Sequence, residues 1–214
     1  MAKLDHYYTK FEEEKFYHIY NRTVDKQLMF RNTGNYVFFL TKLDEYLSPV
    51  IDLYAYCLLG NHFHMMLRVR PISDLTTFKE LSKLKSDKSA HDIVSHQFRK
   101  FFQSYAMAFN RQHGRIGTLF QTPFKRVLID CADYFTQVIY YIHANPQRHG
   151  LINNFQEWRW SSYNRILSDK PSKLKKREVI AWFTDLNNFK KYHNDFYESL
   201  ASNKIAIEDF SDYD

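Results

Sequence analysis

Apolar positions along the chain change their period several times, and each change marks an element. In residues 16–22, FYHIYNR, aromatic and apolar residues alternate with polar ones as in a half-buried strand, and TVDKQ follows as a turn. From Asn32 to Leu47, the residues Tyr36, Phe39, Leu40, Leu43 and Leu47 recur at steps of three and four, which predicts a helix. Residues 51–58, IDLYAYCL, and 62–69, HFHMMLRV, are strand-like runs separated by a short turn around Gly60 and Asn61, the pattern of a hairpin. A helix is predicted next from Asp92 to Gln112, with Val94, Phe98, Phe101, Tyr105 and Phe109 on one side and Arg99, Lys100, Gln103, Asn110 and Arg111 largely on the other. The polar stretch 71–91 before it predicts no defined element. Beyond Gly114 and Gly117, residues 118–129 read as a strand in which Pro123 imposes an edge or a bulge. A further helix runs from Asp133 to Ala144, opened by Asp130 as N-cap and closed by Pro146.

The order strand, helix, strand, strand, helix, strand, helix is the split βαβ plan. The expected fold is therefore α+β and ferredoxin-like, a central antiparallel sheet with helices packed on it, followed by a C-terminal helical extension. With 214 residues, 44% of them hydrophobic, the chain supports one substantial core. Trp158, Trp160 and Tyr163 are expected to pack the chain back onto that body, and the acidic ending EDFSDYD has the composition of a disordered tail.

Composition narrows the partners. The first fifteen residues lack the apolar block of a secretory signal, and no apolar run approaches the roughly 18 positions of a membrane helix, so a soluble cytoplasmic protein without a membrane partner is expected. Cys57 and Cys131 are too few for a disulfide framework and fit a reducing compartment. Net charge is +6, yet Arg68 to Arg126 alone holds twelve Lys and Arg against four Asp and Glu, so the basic excess is concentrated in the middle of the chain. Such a segment attracts polyanions, although a charged surface is often only solvated. At 18% aromatic, the chain also carries more ring surface than a core requires, and exposed rings stack on unpaired bases.

Two groups of residues can carry chemistry. On a strand, His62 and His64 project to the same side while Phe63 points into the core, so two imidazoles converge on one point. A divalent metal fits there if further ligands join; otherwise the pair belongs to a polar network. On the helix DYFTQVIYYIHANP, Phe135, Val138, Ile139 and Ile142 form a buried stripe, and Tyr134, Gln137, Tyr141 and Asn145 form a second, polar and aromatic one. Asn145 is thus one turn from Tyr141, where it can complete a metal site while Tyr141 reaches substrate. The competing assignment makes Tyr141 a cap on the core and Asn145 a helix end.

His62-Phe63-His64 on a central strand, the later YIxxNP segment from Tyr141 to Pro146, and WRWSSY from Trp158 to Tyr163 together resemble the single-tyrosine HUH transposases, especially the REP-associated tyrosine transposases. The resemblance spans residues 16 to 164. It implies an N-terminal extension over 1–15, a transposase-like domain over 16–165, and a helical extension over 166–214 with an acidic tail. It further implies Tyr141 as nucleophile, His62 and His64 as metal ligands with Asn145 as the third, and a 5′-phosphotyrosine link to single-stranded hairpin DNA. Imidazoles with an amide oxygen suit Mg²⁺ or Mn²⁺ better than a closed structural zinc site, and no nucleotide cofactor is required. Arg22, Arg99, Lys100, Arg111, Lys125 and Arg126 are the basic residues expected to meet DNA. A monomer and a homodimer both fit the resemblance. The rival readings are a non-catalytic single-stranded nucleic-acid binder and a metal-dependent phosphodiesterase that uses water.

Overall fold

In the computed structural model, which describes residues 5–75 and 88–202, the alternating residues 16–22 form β1 (Phe16–Arg22). This strand pairs antiparallel with β3 (His62–Val69) on one side and β4 (Lys125–Ile129) on the other, and β3 pairs antiparallel with β2 (Ile51–Leu58). The spatial order β2-β3-β1-β4 is that of the split βαβ plan, so the expected α+β, ferredoxin-like class is observed. Arg22 stands opposite His62 and Tyr20 opposite His64, which fixes the side of the sheet that each presents.

One face of the sheet is a hydrocarbon core. Tyr17, Ile19, Phe63, Met65 and Leu67 point into it and meet Phe39 and Leu43 of α2 (Thr33–Leu47) and Phe98, Phe101 and Tyr105 of α4 (Ala90–Gln112). Both helices begin at built caps: Asn32 accepts from Asn35 N, and Ser89 with Asp92 closes a capping box. That box starts α4 at Ala90, slightly earlier than its apolar stripe indicates. The opposite face is covered over β2 and β3 by α5 (Ala132–Arg148), whose Phe135 sits edge-on to Phe16 and Tyr54 at 5.1 and 5.9 Å. Short helices α1 (Asp5–Tyr8), α3 (Ile72–Leu75) and α6 (Tyr163–Leu167) complete this part.

Two elements differ from the sequence expectation. The strand expected over 118–129 is only β4, because Gly117 lies at φ 92° and Pro123 has no N–H for the ladder. Residues before it touch β1's end at single points, as in Val24 N to Leu119 O and Gln121 N to Arg22 O. The helix expected to stop at Ala144 runs through Pro146 to Arg148. Near a helix end the proline removes one donor only, and the late carbonyls of Asn145 and Pro146 accept from His149 N and Leu151 N. Its N-cap is Cys131 rather than Asp130, without a side-chain bond.

The WRWSSY segment binds the chain back as expected. Trp158 Nε1 donates to Leu58 O at 3.0 Å, Ser162 N donates to Tyr56 O, and the Trp160 ring stacks on Tyr36 at 4.3 Å. Lys175 N donates to Leu53 O, and the first compact unit reaches Lys176. The second unit, residues 177–214, holds α7 (Lys176–Trp182) but for its first residue and α8 (Leu186–Ser202), with Phe183, Phe189 and His193 packed together. The acidic ending and most of the stretch 71–91 lie outside the described residues. Among the described residues, no helix is long and apolar enough to cross a membrane.

Candidate metal and nucleophile site

The sheet face beneath α5 is polar where a core face is ordinarily apolar. Strand alternation brings His18 and Tyr20 of β1 beside His62 and His64 of β3, and all four are buried. His18 Nε2 lies 3.0 Å from His64 Nδ1 with the rings stacked at 5.2 Å, and the Tyr20 ring packs on both imidazoles at 5.0 and 5.5 Å. The His62 and His64 rings are 5.3 Å apart and nearly perpendicular, and Asn61 Oδ1 holds His62 Nδ1 at 2.7 Å. Burial pushes His64 well below its ordinary pKa, and the neighbouring His18, His62, His149 and Arg22 push it further down. It is a neutral imidazole at physiological pH, the form that ligates metal.

From the helix side, Tyr141, Asn145 and His149 form one row at steps of four. The Tyr141 ring meets His64 at 5.4 Å and the His149 ring meets His62 at 4.9 Å, so Asn145 lies on the row between two residues that touch the histidine pair. Asn145 is 0% exposed. Its Oδ1 and Nδ2, and the Nε2 of His64, are buried without a hydrogen-bond partner among the described residues. Native interiors rarely leave such atoms unmatched, and a cation is one of the usual reasons. Among the described residues no three His, Cys, Asp or Glu side chains are grouped to hold an ion. The Asn145 amide is a donor of another type, on the helix row that meets the His62–His64 pair. This donor set, neutral imidazoles with an amide oxygen and no thiolate, is chemically able to hold a divalent cation.

Tyr141 is only 1% exposed, and the Arg148 guanidinium lies 5.2 Å from its ring. Tyr141 was expected to reach substrate; because α5 packs on β2 and β3, Tyr141 and Asn145 are buried while Gln137 stays exposed.

The six basic residues separate into two groups. Arg22 and Lys125 project to the imidazole side: Arg22 opposes His62, and Lys125 opposes Tyr20 with its ammonium 5.4 Å from that ring. Arg126, one residue on, points to the other side. There its guanidinium packs over Phe11 and Phe124 at 5.2 and 5.3 Å and donates to Tyr7 O at 3.0 Å, which is a packing role. Arg99, Lys100 and Arg111 ride on α4, in the layer across the sheet from the histidines. The sequence reading missed His18, Tyr20, His149 and Arg148. Two signals pointed to them: His18 and Tyr20 alternate with Arg22 on one strand, and His149 extends the Tyr141–Asn145 row.

A ferredoxin-like sheet with a buried histidine pair on a central strand, under a helix that brings a tyrosine against it, defines a class of architecture. A solved structure of a REP-associated tyrosine transposase bound to a REP hairpin matches the fold with a TM-score of 0.56, covering 75% of this chain and 85% of that one at 15% identity. The chain thus shares the fold of that transposase. No family model matches the sequence, and no curated protein does.

Proposed function

We propose that this protein is a transposase-like enzyme that nicks and joins single-stranded hairpin DNA through a covalent 5′-phosphotyrosine at Tyr141. The observation that carries the reading is the meeting of Tyr141 with His64 beside the unmatched amide of Asn145, on a fold whose solved counterpart holds a REP hairpin. In the proposed reaction a Tyr141 Oη–P bond forms as the P–O3′ bond breaks, and the proton lost by the phenol is balanced by the one the departing 3′ oxygen takes up. Attack by a 3′ hydroxyl on the same phosphorus reverses the step and joins strands, so no nucleotide cofactor is needed. His62, His64 and Asn145 would hold the divalent ion, which supplies polarisation of a non-bridging phosphate oxygen. Arg22 and Lys125, on the same side as the histidines, would hold flanking phosphates. Arg148 covers the Tyr141 ring and has to swing aside for a phosphodiester to approach; it is exposed and sits in the last turn of α5, where that motion is least opposed.

The burial of Tyr141 favours a second reading, in which water attacks and Tyr141 only positions the phosphate. The fold-level test is a labelled hairpin oligonucleotide and its fully paired duplex, each incubated with the protein and Mn²⁺ with and without chelator. Cutting confined to the hairpin and abolished by chelator supports both readings against a non-catalytic binder. Equal cutting of both substrates, or cutting in excess chelator, refutes the assignment.

A further inference from the structure

We infer that His18 on β1 is a positioning residue that leaves the outer nitrogen of His64 bare, and thereby sets the affinity of the site for a divalent cation; this rests on the ligand role proposed for His64. The two imidazoles meet at 3.0 Å between His18 Nε2 and His64 Nδ1, and both residues are essentially removed from water, at 0% and 1% exposed. One of the two nitrogens must donate and the other accept.

If His18 donates, neutral His64 has to keep its proton on Nε2. In that arrangement Nε2 has no lone pair to offer, and His64 cannot ligate through it. If His64 Nδ1–H donates to His18 Nε2, the Nε2 of His64 presents a lone pair instead, and His18 carries its own proton on Nδ1. Only this second arrangement gives His64 a ligand atom at Nε2, so a cation bound there requires His18 Nε2 as the acceptor. The rings have little freedom to abandon it. Tyr20 packs on both, and Tyr141 sits edge-on to both, at 5.8 Å from His18 and 5.4 Å from His64. A ligating histidine commonly donates its other nitrogen to a fixed acceptor, which sets tautomer and ring orientation; here that acceptor is another histidine on the neighbouring strand.

The test uses the full chain and Mn²⁺ as probe. Calorimetric titration compares wild type, His64→Ala, His18→Leu and His18→Gln, where the glutamine amide reaches the position of Nε2 and can accept. His18→Leu is expected to lower Mn²⁺ affinity by about 10–100-fold, and His18→Gln to restore most of it. Nitrogen-15 histidine spectra of the wild type saturated with diamagnetic Mg²⁺ should show the His64 proton on Nδ1. A wild-type spectrum with that proton on Nε2 overturns the inference without any variant, and so does wild-type affinity in His18→Leu when His64→Ala has lost binding. If wild type and His64→Ala titrate alike, the ligand role of His64 fails first and this inference with it.

Discussion

Replacing Asn145 by alanine should make the metal-free protein more stable, against the usual sign for truncating a buried side chain. A buried asparagine whose amide is hydrogen-bonded loses about 1–3 kcal/mol of stability when its partners are stranded. Asn145 is fully buried, and neither amide atom has a partner among the described residues. Removing an unmatched buried amide relieves about 1–3 kcal/mol of desolvation cost. Alanine in place of asparagine inside α5 adds about 0.6 kcal/mol of helix propensity. Against these stands the small void left by the lost atoms, about 0.7 kcal/mol for some 30 Å³ if nothing relaxes. The net expectation is a gain of about 1–3 kcal/mol, or about 2–10 °C in Tm for a domain of this size. Saturating Mn²⁺ reverses the order, because wild type gains about 4.1 kcal/mol at a thousandfold excess over Kd and the variant loses that binding. Urea unfolding of both proteins, with and without Mn²⁺, reads all four states. Metal-free destabilisation of Asn145→Ala by more than about 1 kcal/mol would show that the amide is satisfied within the protein and refute the reasoning.

Other residues give independent checks. His62→Ala and His64→Ala should each abolish hairpin cleavage while leaving hairpin affinity within a few-fold, as measured by gel shift, since basic side chains rather than the histidines supply affinity. Arg126→Ala should destabilise by about 1–2 kcal/mol through lost packing over Phe11 and Phe124, and leave the salt dependence of binding unchanged. Lys125→Ala should lower that salt slope by about one if its ammonium meets a phosphate. Asp52, 6% exposed, accepts from Arg68 and Arg70 at 2.8 and 3.1 Å and faces Lys175 at 3.4 Å. Burial alone would raise its carboxyl, but the Arg68 bond and the charges of Arg70, Lys175 and Arg68 outweigh it and hold the group below its ordinary 3.8. A depressed folded value means that the stabilisation is complete above the ordinary value and is lost as pH falls through the folded one. Urea midpoints of wild type should therefore drop on acidification below pH 3.8, while Asp52→Asn, already weaker at neutral pH, should be flatter there.

The elements governed by local periodicity were legible in the sequence. β1 and the β2–β3 hairpin fall where alternation places them, α2 starts at its expected Asn32 cap, and α4 follows its apolar stripe but starts at the Ser89 box, ahead of the expected Asp92. What local patterns cannot carry is which strands a helix packs on. The polar stripe of α5 pointed to Tyr141 and Asn145 as a pair, but the buried, Arg148-covered position of Tyr141 depends on contacts with β2 and β3 that no periodicity encodes. His18 was passed over for a similar reason. Its neighbour His64 lies 46 residues away, and only strand register joins them. Charge counting located the basic middle of the chain without assigning faces, so Arg126 was grouped with residues on the other side of the sheet.

The central claim is that the Tyr141 hydroxyl becomes covalently attached to DNA, and one measurement addresses it directly. Wild-type protein and Tyr141→Phe are incubated with an internally labelled hairpin oligonucleotide and Mn²⁺, and any species surviving denaturing electrophoresis is digested and mapped by mass spectrometry. The phenylalanine variant keeps the ring that packs on His64 and removes only the oxygen, so hairpin binding and folding should persist while the adduct disappears. The account predicts a wild-type adduct in the peptide containing Tyr141, attached through a 5′ phosphate, and none in the variant. Cleavage by wild type without any adduct, matched by equal cleavage from Tyr141→Phe, would contradict it and leave water as the nucleophile.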